Sequence, residues 1–309
     1  MSTAGQKPLV AGIVGPTASG KTALSFALSK LLPIEIVCMD SMQIYRGMDI
    51  GTAKPTRAER SAIPHHLLDV ADPEEEYSVG RYLKEATAAI DGVLARGHLP
   101  VLVGGTGLYL RALSEGLTLG HTPGDEAVRR AWEDFLLKEG KEALHARLAA
   151  VDEPSAARLH PNDTRRVIRA LEVFELTGRP ISAQRPKIED SPYDLRLYAP
   201  DWPREELYER ADRRVEEMLK AGLAQELRGL LAGGVREDAQ SMQGIGYKEL
   251  IPYLKGEAEL SSCEALIKRR TRNYAKRQLT WFRPDGRIRW IFRADREEFL
   301  KRFREDFDL

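Results

Sequence analysis

Short apolar runs alternating with helical stretches organise the first hundred residues of the chain. Leu9–Val14, Ile34–Met39 and Leu99–Val103 are mainly apolar runs, the second carrying Glu35, and predict strands, whereas residues 21–31 and about 79–96 carry the spacing of helices. This alternation predicts an α/β fold, a parallel sheet with helices on both faces. Ligands gather at the carboxyl ends of strands in such sheets. Three polar features fall there: GPTASGKT at 15–22, Asp40, and GGTG at 104–107.

From about residue 115 to 199 the pattern changes to helices without strands. The best candidates are Asp125–Lys138, Lys141–Ala150 and Thr164–Leu176, the last opened by Asn162 or Asp163 and closed by Gly178. Leu195–Ala199 reads as a returning strand. Helices follow at about Arg204–Ala221 and Leu223–Leu231, and a long basic one around Cys263–Phe282. Residues 1–114 with 200–309 are therefore expected to form one α/β core, and 115–199 a helical insertion domain.

The chain has 309 residues and balances 47 basic against 47 acidic side chains, so a polyanion must be held by local patches rather than by overall charge. One such patch is 268–293, with ten Lys or Arg and a single acid, Asp285, interleaved with Tyr274, Trp281 and Phe282. Cations and aromatic planes in this mixture suit RNA, although a wet helix face over core aromatics would look alike. Arg165, Arg166 and Arg169 form a second cluster. Two distant cysteines and six histidines show no disulfide or metal-ligand spacing. The N-terminus lacks the pattern of a secretory signal and no window approaches a membrane span, which predicts a soluble cytoplasmic protein.

GPTASGKT matches the GxxxxGK[ST] phosphate loop between a strand and a helix. Backbone amides of Gly15, Pro16, Thr17, Ala18, Ser19, Gly20, Lys21 and Thr22 and the positive end of the following helix are expected around a phosphate pair, proline lacking an N–H of its own. Lys21 would add charge and the Thr22 hydroxyl would reach a magnesium ion. Asp40 reads as a general base or a second-sphere magnesium partner, or as the cap of its own turn. Thr106 reads as a hydrogen-bond donor to a departing oxygen, or as a helix cap. Arg214, beside the apolar stripe Leu207, Ala211, Val215 and Met218, reads as a phosphate clamp or as half of an ion pair. Arg210 and Arg213 fall further round and are expected in solvent.

GPTASGKT at 15–22, DSMQIYRGMDIGTAKP at 40–55, PHHLLD at 64–69, VGGTGLY at 103–109, HPNDTRRVIRALEVFELTG at 160–178, QGIGYKE at 243–249 and AKRQLTWFR at 275–283, taken together, closely resemble the bacterial tRNA isopentenyltransferase (dimethylallyltransferase) family. The resemblance implies a P-loop nucleotide-kinase-like core with a helical insertion that contacts tRNA. It implies transfer of a dimethylallyl group from dimethylallyl diphosphate to N6 of the adenosine 3′ of the anticodon, in tRNAs reading codons that start with U. Magnesium is the implied cofactor, the anticodon stem-loop the partner, and a monomer the expected state. Asp40 would accept the amine proton, while Thr106 and Arg214 would hold the leaving diphosphate bound at Gly15–Thr22. Asp40, Ser41, Met42, Gln43, Thr106, Arg129, Arg165, Arg166, Val167, Ile168, Arg169, Gln243, Gly244, Ile245, Gly246, Tyr247 and Lys248 would touch tRNA. A small-molecule kinase, which would remove the γ-phosphate of ATP, and an RNA-binding NTPase without a covalent product are the rival readings.

Overall fold

The computed structural model describes residues 7–115, 124–184 and 191–309. It divides into two compact units, Met1–Leu110 with Pro192–Leu309, and Arg111–Ser191. The first unit is built on six strands: β1 (Leu9–Val14), β2 (Ile34–Met39), β3 (His65–His66), β4 (Leu99–Gly104), β5 (Asp194–Asp201) and β6 (Ile288–Phe292). They lie in the order β3-β2-β4-β1-β5-β6 and every pairing is parallel. The returning strand expected at Leu195–Ala199 is β5 of this sheet, so the first unit resumes at Pro192 rather than at residue 200.

Every residue of β2 is buried, as are five of the six in β1, because helices cover the sheet. The helices are α1 (Lys21–Ser29), α2 (Arg57–Ala62), α3 (Val79–Ala95), α4 (Gly107–Ser114), α5 (Glu126–Val151), α6 (Glu153–Arg158), α7 (Thr164–Thr177), α8 (Arg204–Lys220), α9 (Leu223–Ala232), α10 (Tyr247–Leu254), α11 (Leu260–Phe282) and α12 (Arg296–Phe307). Ala11, Ile13, Leu24, Leu28, Tyr198, Phe299 and Phe303 share one core, which fixes α1 and α12 against the sheet. At the opening of β2, Glu35 is a buried carboxylate held bidentately by Arg96 at 2.8 and 2.7 Å. His66 and His98 reach it at 2.7 and 2.8 Å, so one charge joins β2, β3, α3 and the start of β4. No helix among the described residues is long and apolar enough to cross a membrane.

In the second unit the two helices expected at 125–138 and 141–150 run together as α5, broken at Gly140, whose φ of 83° is outside the helical region. Leu144, Leu148, Val167, Ile168 and Leu171 form its core. Gly178 closes α7 at φ 67° as expected. Asp163 stands at the N-cap without a side-chain cap bond and instead pairs with Arg166 at 3.1 Å.

Candidate active site

The phosphate loop turns from β1 into α1 through Gly20, whose φ of 96° favours glycine. Lys21 folds back so that Nζ donates to the carbonyls of Gly15 at 3.1 Å and Pro16 at 2.8 Å. Burial and the nearby Arg214 charge bring its pKa down to about 8, against an opposing pull from Asp40. Burial likewise lowers the pKa of Arg214, whose buried Nε lacks a hydrogen-bond partner. Among the described residues Arg214 belongs to no salt bridge, so the ion-pair reading of this residue does not hold. The buried Ser19 hydroxyl is also without a partner. Two partly buried cations beside the loop, one with a buried donor unspent, are electrostatically incomplete and suited to a multiply charged anion.

Arg210 is a correction to the expected solvated side chain. Its Nε donates to the Ala18 carbonyl at 2.9 Å while its guanidinium lies 4.2 Å from the Trp202 ring centroid, and Trp202 Nε1 donates to Ser19 at 2.8 Å. The pair holds the loop's outer edge, and Arg213 is exposed.

Asp40 follows β2, and its Oδ1 accepts the backbone N–H groups of Met42 at 2.8 Å and Gln43 at 3.3 Å. It caps its own turn, as one of the two readings expected, and it also lines the cavity. Thr106 follows β4. Its Oγ1 accepts the Ser41 N–H at 3.2 Å, and its own N–H donates to Met39 at 3.2 Å. The Tyr274 side chain lies beside Thr106 and Gln278. The loops after β2 and β4 are thereby joined.

Gln43 is set by its amide, which donates to Thr52 at 3.1 Å and Ala53 at 3.3 Å. Three consecutive N–H groups, those of Asp49, Ile50 and Gly51, donate to the Glu226 carboxylate at 2.9, 2.7 and 3.1 Å. The Tyr247 hydroxyl donates to the same carboxylate at 2.6 Å. Tyr247 is therefore turned inward, whereas Gln243 and Lys248, which bond each other at 2.9 Å, are exposed.

A cavity of about 1260 Å³ within this first unit brings these parts together. Its wall includes Thr17–Thr22, Asp40–Gln43, Arg214 and Gln243–Tyr247, with apolar surface from Val215, Met218, Ile267 and Tyr274. Thr106 reaches the wall through Ser41 and Tyr274. Thr22 and Asp40 are hard oxygen donors on one cavity, which suits magnesium shared with a phosphate ligand. Among the described residues no cluster of three or more His, Cys, Asp or Glu is placed to hold a metal without such a ligand.

In the basic stretch on α11, Lys268 pairs with Glu216 and Glu264, and Arg272 with Asp212, while Arg269, Arg270, Lys276 and Arg277 face solvent. Phe282 is core and Trp281 is 44% exposed. In the second unit Val167 and Ile168 are a correction: both are buried in the unit's core, so neither side chain offers RNA a surface. Arg129 and Arg169 converge on the buried Glu172 at 3.4 and 2.7 Å, and Arg165 and Arg166 are exposed.

The fold and site define a P-loop α/β protein with a cavity lined by Lys21 and Arg214 at the carboxyl ends of its strands. The profile of the IPP transferase family matches residues 43–285, and that of isopentenyl transferases residues 8–70. The chain is 49% identical over 288 residues to tRNA dimethylallyltransferase 1 of Trichlorobacter lovleyi, covering 92% of this chain and 94% of that protein. It is 48% identical over 296 residues to the tRNA dimethylallyltransferase of Geobacillus thermodenitrificans, covering 96% and 94%. Among solved structures, the tRNA isopentenylpyrophosphate transferase of Bacillus halodurans has a TM-score of 0.72 at 43% identity, covering 98% of this chain and 96% of that one. A eukaryotic dimethylallyltransferase described as acting on tRNA has a TM-score of 0.78 at 32% identity, covering 93% and 74%. The chain belongs to the IPP transferase family, that of the tRNA dimethylallyltransferases, which bears out the family and fold read from its motifs.

Proposed function

We propose that the chain transfers a dimethylallyl group from dimethylallyl diphosphate to N6 of the adenosine 3′-adjacent to the anticodon, in tRNAs reading codons that start with U, forming N6-isopentenyladenosine. The observation that carries this reading is the pair of partly buried cations, Lys21 and Arg214, beside a phosphate loop, with a buried Arg214 donor unspent. An allylic diphosphate supplies what they lack. Its oxygens take the loop amides other than that of Thr17, which Gln278 holds, Lys21 turns from the Gly15 and Pro16 carbonyls toward them, and Arg214 and the Thr106 hydroxyl receive the charge that grows as the C1–O bond breaks. The five-carbon tail enters the apolar part of the cavity, worth at most roughly 4 kcal/mol at about 0.8 kcal/mol per methylene.

N6 of an unstacked adenine forms the new C–N bond and its proton passes to Asp40, through the carboxylate oxygen the turn leaves over. Diphosphate departs with the bonding pair of the broken C–O bond. Thr22 would hold magnesium, whose chemistry when bound is neutralisation of the diphosphate charge. Asp40–Gln43 and Gln243–Lys248 approach the adenosine and its neighbours. Arg129, Arg165, Arg166 and Arg169, on a helical unit acting as the tRNA-contacting insertion, meet phosphates of the anticodon stem-loop. The enzyme works as a monomer in the cytoplasm, where its tRNA is.

Purified protein incubated with labelled dimethylallyl diphosphate, magnesium and unmodified tRNA should label one adenosine per tRNA, at N6. ATP should keep its γ-phosphate. Label-free tRNA, or ATP cleavage in place of transfer, would refute the assignment.

A further inference from the structure

The buried face of α11 runs Cys263, Ile267, Thr271, Ala275, Gln278 and Phe282. Gln278 is its one long polar side chain, 4% exposed, and a buried polar group among small and apolar ones calls for a reason. Its two amide ends go to different loops. Oε1 accepts the Thr17 N–H of the phosphate loop at 2.8 Å, and Nε2 donates to the Gly105 carbonyl at 2.9 Å, one residue before Thr106. Tyr274, one turn earlier on α11, lies beside both Gln278 and Thr106. A Cβ at residue 105 would stand 2.1 Å from Nε2, so the clamp also requires glycine there.

We propose that Gln278 is a positioning residue that fixes the phosphate loop relative to Thr106, setting the two sides of the leaving diphosphate at one separation. The inference rests on the donor and leaving-group roles given above. A carboxamide suits the task because it offers an acceptor and a donor at opposite ends of one plane. The loops it joins follow separate strands, so slackness between them moves Thr106 off the departing oxygen. That loss falls on the transition state, hence on kcat, and leaves tRNA affinity alone.

Gln278→Glu makes the test pH-dependent. A protonated carboxyl keeps both bonds, C=O to Thr17 and O–H to Gly105, whereas the ionised form has acceptors only and repels the Gly105 carbonyl. The variant-to-wild-type ratio of single-turnover transfer rates should rise about tenfold or more as pH falls from about 8.5 to about 5.5. Gln278→Met should show a flat ratio, with kcat about 10- to 100-fold below wild type and the tRNA Kd within about threefold. A merely structural role shifts melting without shifting the rate ratio of the Glu variant. Melting of Gln278→Glu relative to wild type, which needs no substrate, should also improve as pH falls.

If wild type transfers and the Glu variant's rate ratio is flat, or the Met variant turns over within about threefold of wild type, the positioning role is overturned and the reaction stands. If wild type makes no prenylated tRNA while relative melting follows pH as stated, the clamp between the loops stands and the assigned reaction falls.

Discussion

Replacing Lys21 by methionine should make the ligand-free protein more stable and at the same time blind to diphosphate. The Lys21 pKa falls from 10.5 to about 8 because its ammonium is buried and faces Arg214. Both folded and unfolded chains carry the proton at pH 7, so the charge destabilises the fold by about 3 kcal/mol there, at 1.36 kcal/mol per pH unit. Methionine removes this burden but leaves the carbonyls of Gly15 and Pro16 without their donor, a loss of about 1–2 kcal/mol. The net gain is about 1–2 kcal/mol, or roughly 3–6 °C in melting temperature. The unfolded chain binds the extra proton between the two pKa values, so wild type recovers stability as pH climbs from about 8 to 10.5. The two proteins should therefore cross over at roughly pH 9. Added inorganic pyrophosphate reverses the order at pH 7, since a ligand at about a hundred times its Kd stabilises wild type by about 2.7 kcal/mol and the variant little. Urea titrations across pH, with and without pyrophosphate, check this. A variant less stable than ligand-free wild type at pH 7, or a difference that ignores pH, would refute the reasoning.

Asp40→Asn preserves the acceptor for the Met42 and Gln43 amides but cannot take a proton, so kcat should fall about 10²- to 10⁴-fold with tRNA binding little changed; rapid-quench transfer and filter binding measure the two. Glu35→Gln should lower stability by about 3 kcal/mol at neutral pH, because Arg96 first, and His66 and His98 with it, hold the Glu35 pKa down at about 2. That contribution is present above the ordinary carboxyl pKa and lost as pH falls toward about 2, so acid unfolding of the two proteins should converge. Glu226→Gln weakens an acceptor of four hydrogen bonds and should destabilise by about 2–3 kcal/mol, with faster hydrogen exchange at residues 49–51.

Strands β1, β2 and β4 were legible because they are largely buried on both faces, which favours apolar sequence, with Glu35 of β2 the exception that Arg96 neutralises. His65–His66 carries no such signal: β3 is polar and exists through its pairing with Ile36 and Val37 and the Glu35 carboxylate. Strand β6 and α12 escaped for the opposite reason, since Arg289 and Trp290 sit on an edge strand whose partner is distant in sequence. Helical spacing placed Arg214 correctly at the inner edge of α8, yet it put Arg210 outside. Trp202, which precedes the helix and draws Arg210 across the phosphate loop, is invisible to a helical wheel. Gln278 did leave a trace, a lone amide in the stripe from Cys263 to Phe282. Tyr247 fell among solvent-facing neighbours in the chain but is claimed by Glu226, an acid twenty-one residues earlier.

The amides of Asp49, Ile50 and Gly51 form a second cradle on this fold, chemically as receptive to a phosphate as the loop after β1. A tRNA arrives as a string of such groups, any of which would be a wrong guest. By seating its own Glu226 there, the chain fills with a carboxylate of its own the place a stray phosphate would take.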